Sequence, residues 1–219
     1  MPGSPRHSAP NPSALPARTD ALRRFGGSSR YRIIGSALLL AAGLLMLTAA
    51  HAGDDPRKAL SKNYALRLQS ELGARLKAAM TTGGPVAAID VCQVEAPVIA
   101  AKMLTENGPT KIGRTALRVR NPMNAPDEEA RVVLENFRQA MAAGETPAAH
   151  FTVREDGSAR YMQAIGTQPL CLACHGTELA PEVREALARH YPEDQATGFS
   201  VGELRGSFLI EWPATAATP

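Results

Sequence analysis

The stretch HFTVREDGSARYMQAI, residues 150–165, sets two short strand-like runs on either side of Asp156-Gly157. An Asp-Gly pair between such runs is a strong hairpin signal, because a tight reversal needs positive φ and glycine supplies it cheaply. Strands over His150–Arg154 and Ala159–Ile165 are therefore expected. On the amino-terminal side, Glu128–Ala142 has a helical pattern that buries Val133, Phe137 and Met141. Asp127 stands ready to cap it, and its first turn is acidic, as the helix dipole prefers. Further back, Asn121–Asp127 is rich in turn residues, and Lys111–Arg120 reads as a strand with Leu117 and Val119 on one side.

Two helices are expected before that strand. In Asp54–Met80, Leu60, Tyr64, Leu68, Leu72 and Leu76 recur every fourth residue. Gly83-Gly84-Pro85 stops this helix. In Val86–Glu106, Ile89, Cys92, Ala96, Ile99 and Met103 share one stripe, with Pro97 set to bend or split the helix. On the carboxyl side, Ala180–His190 reads as a short helix with Pro181 at its first position. A last strand, Leu204–Trp212, alternates Phe208, Ile210 and Trp212. A hairpin, separate strands and segregated helices imply an α+β domain, an antiparallel sheet with helices to one side.

Residues 1–52 read as an export signal. Arg23, Arg24, Arg30 and Arg32 precede a charge-free run, Ile33–Leu47, and Ala50-His51-Ala52 offers a small-x-small cleavage site. The run is shorter than the roughly 20 residues a spanning helix needs, so cleavage after Ala52 is favoured over a retained anchor. Six of the 24 basic side chains and one of the 21 acidic ones fall in this segment, so its removal turns a net +3 into −2. The basicity thus belongs to the leader, and residues 53–219, one domain, carry no nucleic-acid footprint. With no second apolar span read after it, the matured chain is expected in the periplasm, free of the membrane.

Three cysteines are an odd number for an oxidising compartment. Cys171-Leu172-Ala173-Cys174-His175 accounts for two of them, as a C-x-x-C-H motif. The chemistry explains the spacing. Each thiol adds across one haem vinyl group, and the adjoining histidine is held beneath the iron as the proximal ligand. One covalent haem c, with thioethers at Cys171 and Cys174 and iron on His175, is therefore expected. A zinc site would need further Cys or His ligands, and a thioredoxin-like pair would need a βαβ setting. For the iron's other face the candidates are Cys92, His150, His190 and methionines such as Met162. Cys92 reads either as a buried core thiol or as an iron thiolate, and the odd cysteine count favours the second.

A wider pattern adds to this. Ala88–Cys92, Gly113–Pro122, Asn124–Asp127, Pro169–Gly176, Tyr191-Pro192, Asp194, Ala196–Gly198 and Gly202–Gly206 together resemble a family of single-haem c-type proteins once labelled a domain of unknown function. The resemblance spans about residues 56–212. It implies a PAS-like α+β fold with the haem against the sheet. It also implies an axial role for the cysteine at position 92. Arg114, Arg118 and Arg120 match an arginine-rich segment of the family and become candidates to grip haem propionates, since guanidinium pairs with carboxylates bidentately. The alternative is that they solvate a strand face or pair with Glu203 and Asp194. Some members of the family are sensory parts of histidine kinases; no kinase region is read in this sequence.

Three functions compete at this point. A redox or redox-sensing protein would cycle six-coordinate iron, with thiolate ligation holding the potential low. A gas or small-ligand sensor would exchange Cys92 for its ligand and signal through a separate partner. A peroxidase would need a distal acid–base pair that the sequence does not offer, so no enzyme activity is expected. The redox or signalling partner stays unknown from sequence.

Overall fold

Four strands form one antiparallel sheet in the order β1-β4-β3-β2, within a computed structural model that describes residues 54–214. The expected signal segment lies outside the described residues. The strands are β1 (Lys111–Thr115), β2 (His150–Val153), β3 (Ala159–Gly166) and β4 (Leu204–Trp212). The Asp156-Gly157 hairpin joins β2 to β3. Arg154 and Ser158 close the turn, with Arg154 N–H donating to the Ser158 carbonyl at 2.8 Å and Gly157 at φ 79°. This is the three-residue loop with a left-handed glycine rather than the two-residue form.

The last strand holds the centre of the sheet. Phe208-Leu209-Ile210 is continuous apolar sequence, the mark of a strand buried on both faces. On one face Phe208, Ile210 and Trp212 pack with Ala65, Leu68 and Met103. On the other, Leu204, Leu209 and Met162 meet Ala130, Val133, Leu134 and Phe137 of α3 (Glu128–Ala142). The fold is α+β as expected, but the helices flank both faces instead of one. The strand at Lys111 is also shorter than expected. It ends at Thr115, and Leu117 and Val119 part company, Leu117 packing against the α3 cluster and Val119 facing a cleft on the other side.

The amino-terminal helical region is α1 (Pro56–Asp90), a π turn (Val91–Glu95) and α2 (Ala96–Lys102). Its buried residues begin Ser61, Ala65, Leu68 and Leu72. Leu60, placed on the apolar stripe by periodicity, is 46% exposed, while Ser61 turns inward and its hydroxyl accepts from the Trp212 indole at 2.7 Å. The break at Gly83-Gly84-Pro85 is a kink inside α1, with Gly84 at φ 69° and ψ −166°. Pro97, with no N–H to give the carbonyl four residues back, stands in the first turn of α2, one residue past the π turn. The added residue per turn splits the expected stripe, so Ile89, Ala96 and Met103 enter three different apolar clusters. By length and mean hydropathy, 1.3 over its best window, Pro56–Lys102 is apolar enough to cross a membrane, contrary to the reading of no second span. In that window 22% of the residues are buried inside the domain, Leu68 and Leu72 of the helix among its buried residues. The remaining helices are α4 (Leu172–His175) and α5 (Pro181–His190).

Candidate functional site

Pro169 opens a 3₁₀ turn, Pro169–Cys171, that runs straight into α4, so Cys171 and Cys174 sit one turn apart with His175 next in line. Gly176 ends the turn, its N–H donating to the Leu172 carbonyl at 3.0 Å. A Cβ at Gly176 would lie 2.7 Å from that same oxygen, so the tight exit needs glycine.

A collar of residues 194–199 grips this loop from outside. Gly198 N–H donates to the Gly176 carbonyl and Phe199 N–H to the His175 carbonyl, both at 2.9 Å. The Ala196 carbonyl accepts from His175 Nδ1 at 2.6 Å. That bond puts the ring proton on Nδ1 and leaves Nε2 a bare lone pair. Burial, then the nearby Arg205 and Arg120 charges, push the His175 pKa down to about 2, so the ring stays neutral. Phe199 packs edge-on to it, with ring centroids 6.2 Å apart.

Arg120 ties the collar to the loop. It pairs with Asp194 at 3.1 Å and donates to the carbonyls of Cys174 and Ala196. Both members of the pair are nearly shut off from water, at 8% and 10% side-chain exposure. Burial raises the Cys174 thiol pKa, partly offset by the Arg120 charge. All three cysteines are free thiols.

These pieces face one cleft of about 270 Å³ between α1, the π turn and the sheet. Cys92, Cys171, Cys174 and His175 all line it, with Arg114 and Arg120. Leu72, Leu76, Met80 and Ile89 supply apolar wall, and Thr115, Ala116, Gly206 and Phe208 line it from β1, the residue after it and β4. Cys92 stands on the π turn, an element often found at functional positions. The other axial candidates stand elsewhere. Met162 is fully buried in the α3 cluster on the far face of the sheet. His150 begins the edge strand β2, and His190 ends α5, and neither lines the cleft.

Arg118, grouped with Arg114 and Arg120 in the sequence, is placed apart from them. It lies 3.6 Å over the Phe199 ring, bonds the Thr197 carbonyl and stands 3.8 Å from Glu203, outside the cleft lining. Arg205 takes a place in the cleft that sequence reasoning did not assign to it. Its Nε is buried without a partner, and burial followed by repulsion from Arg120 and Arg114 lowers its pKa to about 10. The signal available was its position, between Leu204 and Gly206 in a segment already singled out. Tyr191 also faces the cleft, its hydroxyl pKa pushed up to about 12 by burial first and the Cys92 charge second.

A family model described as Tll0287-like matches residues 38–213. The chain belongs to the Tll0287-like family. Among solved structures, that of the cyanobacterial heme-protein Tll0287 matches with a TM-score of 0.51 at 26% identity, covering 72% of this chain and 92% of that one. No curated protein matches. The span shared with the Tll0287-like family holds every cleft residue named above, together with the collar and the π turn. The solved relative supports the same α+β arrangement of a four-stranded antiparallel sheet with helices around it.

Proposed function

We propose that this chain is an exported single-haem c-type protein of electron transfer or redox sensing. Cys171 and Cys174 would carry the porphyrin through thioether links, and His175 and Cys92 would hold its iron. One observation carries the reading: residues 92, 171, 174 and 175, from opposite ends of the domain sequence, converge on a single cleft. The solved relative is itself described as a heme-protein.

The donor set fits the group. Two thiols one turn apart match two vinyl positions, and a neutral imidazole with its Nδ1 occupied presents Nε2. Among the described residues no three His, Cys, Asp or Glu side chains gather closely enough to hold a bare metal ion. When bound, haem supplies one-electron chemistry at iron. The protein's part is to fix His175 through the Ala196 carbonyl, to offer Cys92 as a thiolate that favours the ferric state, and to wall the site with apolar α1 side chains. A small-ligand sensor is the second reading, and the π turn favours it. In that reading a small ligand would take the place of Cys92, which stands on an element often found at functional positions. In either case the partner is a separate redox or signalling protein.

The test is the mass and spectrum of protein matured with a haem-attachment system. The reading expects cleavage after Ala52 and one haem added to the remaining chain. Cys92→Ala should turn a low-spin ferric spectrum towards high-spin, and an unchanged low-spin spectrum would remove Cys92 from the iron. Prompt CO binding by the reduced protein would select the sensor, and an inert ferrous form the electron carrier.

A further inference from the structure

We infer that Arg205 is the counter-charge for one carboxylate of the bound porphyrin, an assignment that rests on the haem reading above. Three arginines line the cleft, Arg114, Arg120 and Arg205, and Arg205 also borders the neighbouring cavity that Arg118 and Phe199 line. Arg120 is already neutralised by Asp194 at 3.1 Å. Among the described residues neither Arg114 nor Arg205 has a carboxylate within ion-pair distance, and no Asp or Glu lines the cleft. The cleft therefore carries two uncompensated positive charges beside largely apolar walls. A porphyrin brings two propionates, which match that excess in number and sign.

Arg205 is the sharper of the two. The residue is half-buried, and its Nε is sealed from water with no acceptor, a polar atom left unsatisfied. Its one hydrogen bond, Nη1 to the Arg118 carbonyl, is long at 3.4 Å. It is also held in place. Its guanidinium carbon lies 5.2 Å from the centroid of the Phe199 ring, on which Arg118 stacks at 3.6 Å. The same ring packs on His175. The fork is thus set beside the histidine loop with donors unspent, the geometry that bidentate carboxylate recognition uses.

The experiment compares the haem-loaded full chain with its Arg205→Gln and Arg205→Lys variants. Resonance Raman reads the propionate bending bands, and a redox titration across pH reads the midpoint potential. In Arg205→Gln one propionate band should shift, and the inflection of potential against pH should move up towards neutrality as that carboxylate loses its cation. Loss of a positive charge also favours ferric iron, by about tenfold in the ferric/ferrous ratio, or about 59 mV for one electron. Arg205→Lys keeps the charge but not the fork, so its band should move while its potential stays near that of the parent. Unmoved bands with an unmoved pH curve in both variants would overturn the assignment. If the glutamine variant fails to mature, an unmoved propionate band in the lysine variant overturns it alone. A parent chain of bare polypeptide mass would sink the haem reading as well, which separates the two failures.

Discussion

At Asp127 one carboxylate serves two structures. It accepts from Ala130 N–H at 2.8 Å, capping α3, and pairs with Arg160, whose side chain is only 5% exposed. The Arg160 hydrogen bond is the main reason its pKa falls to about 2 from an ordinary 3.8. A depressed carboxylate stabilises the fold fully above the unfolded value and loses that contribution as pH drops towards the folded one. Asp127→Asn keeps a capping oxygen and discards the charge. Because Asp127 is half exposed, the expected loss at pH 7 is discounted to about 1 kcal/mol, and it should shrink by pH 3. Urea unfolding at the two pH values checks this, and a gap that does not narrow would speak against the pairing. Residues differ in how openly the sequence declares them. Cys171, Cys174 and His175 are legible because their chemistry demands a fixed short spacing, and Cys92 because an odd thiol calls for an explanation. Arg205 is not, since its meaning lies in desolvation and a missing partner, properties only three dimensions confer. Arg114, Arg118 and Arg120 look like one strand face on paper. The strand stops at Thr115, and the three then meet a cleft, an aromatic ring and an aspartate.

Elements were read well where their period held and poorly where the backbone broke register. The residues of α3 came out as expected because its apolar spacing, cap and acidic turn agree. The α1–α2 region is harder. Its letters keep a spacing of three and four through the kink and the π turn, while the faces they mark rotate away from one another. Gly84 is the pivot of this region. Its φ 69° and ψ −166° lie where essentially only glycine goes. A Cβ there meets nothing within 4 Å, so the strain of Gly84→Ala is in the backbone alone. The substitution should cost about 1–3 kcal/mol in denaturant unfolding. It should also disturb the iron spectrum, because the kink aims the segment that carries Cys92. A variant as stable as the parent, with an identical spectrum, would deny the kink that role.

Across the whole molecule, the cleft is a joint product of parts that the sequence keeps far apart. Helix α1 and the π turn give one wall, β1 and β4 the sheet side, and the loop at residues 169–176 the attachment side, locked by the 194–199 collar. What fills the cleft must then matter to stability as well as to function. Left bare, Arg114 and Arg205 have no carboxylate partner among the described residues, Arg120 is paired with Asp194, and the apolar wall opens to solvent. An occupant that binds only the folded state stabilises it. We therefore expect chain produced without haem attachment, and the Cys171→Ser/Cys174→Ser variant, to unfold at matching temperatures, both below the loaded protein. A deficit of about 3 kcal/mol corresponds to roughly 6–12 °C for a domain of this size. Added phosphate should recover part of the deficit in the bare chains by answering the arginines, and little in the loaded one. Thermal unfolding followed by circular dichroism, with and without phosphate, decides the matter. Bare and loaded chains melting together would mean that the cleft stands without its occupant, and that its positive charge has some other purpose.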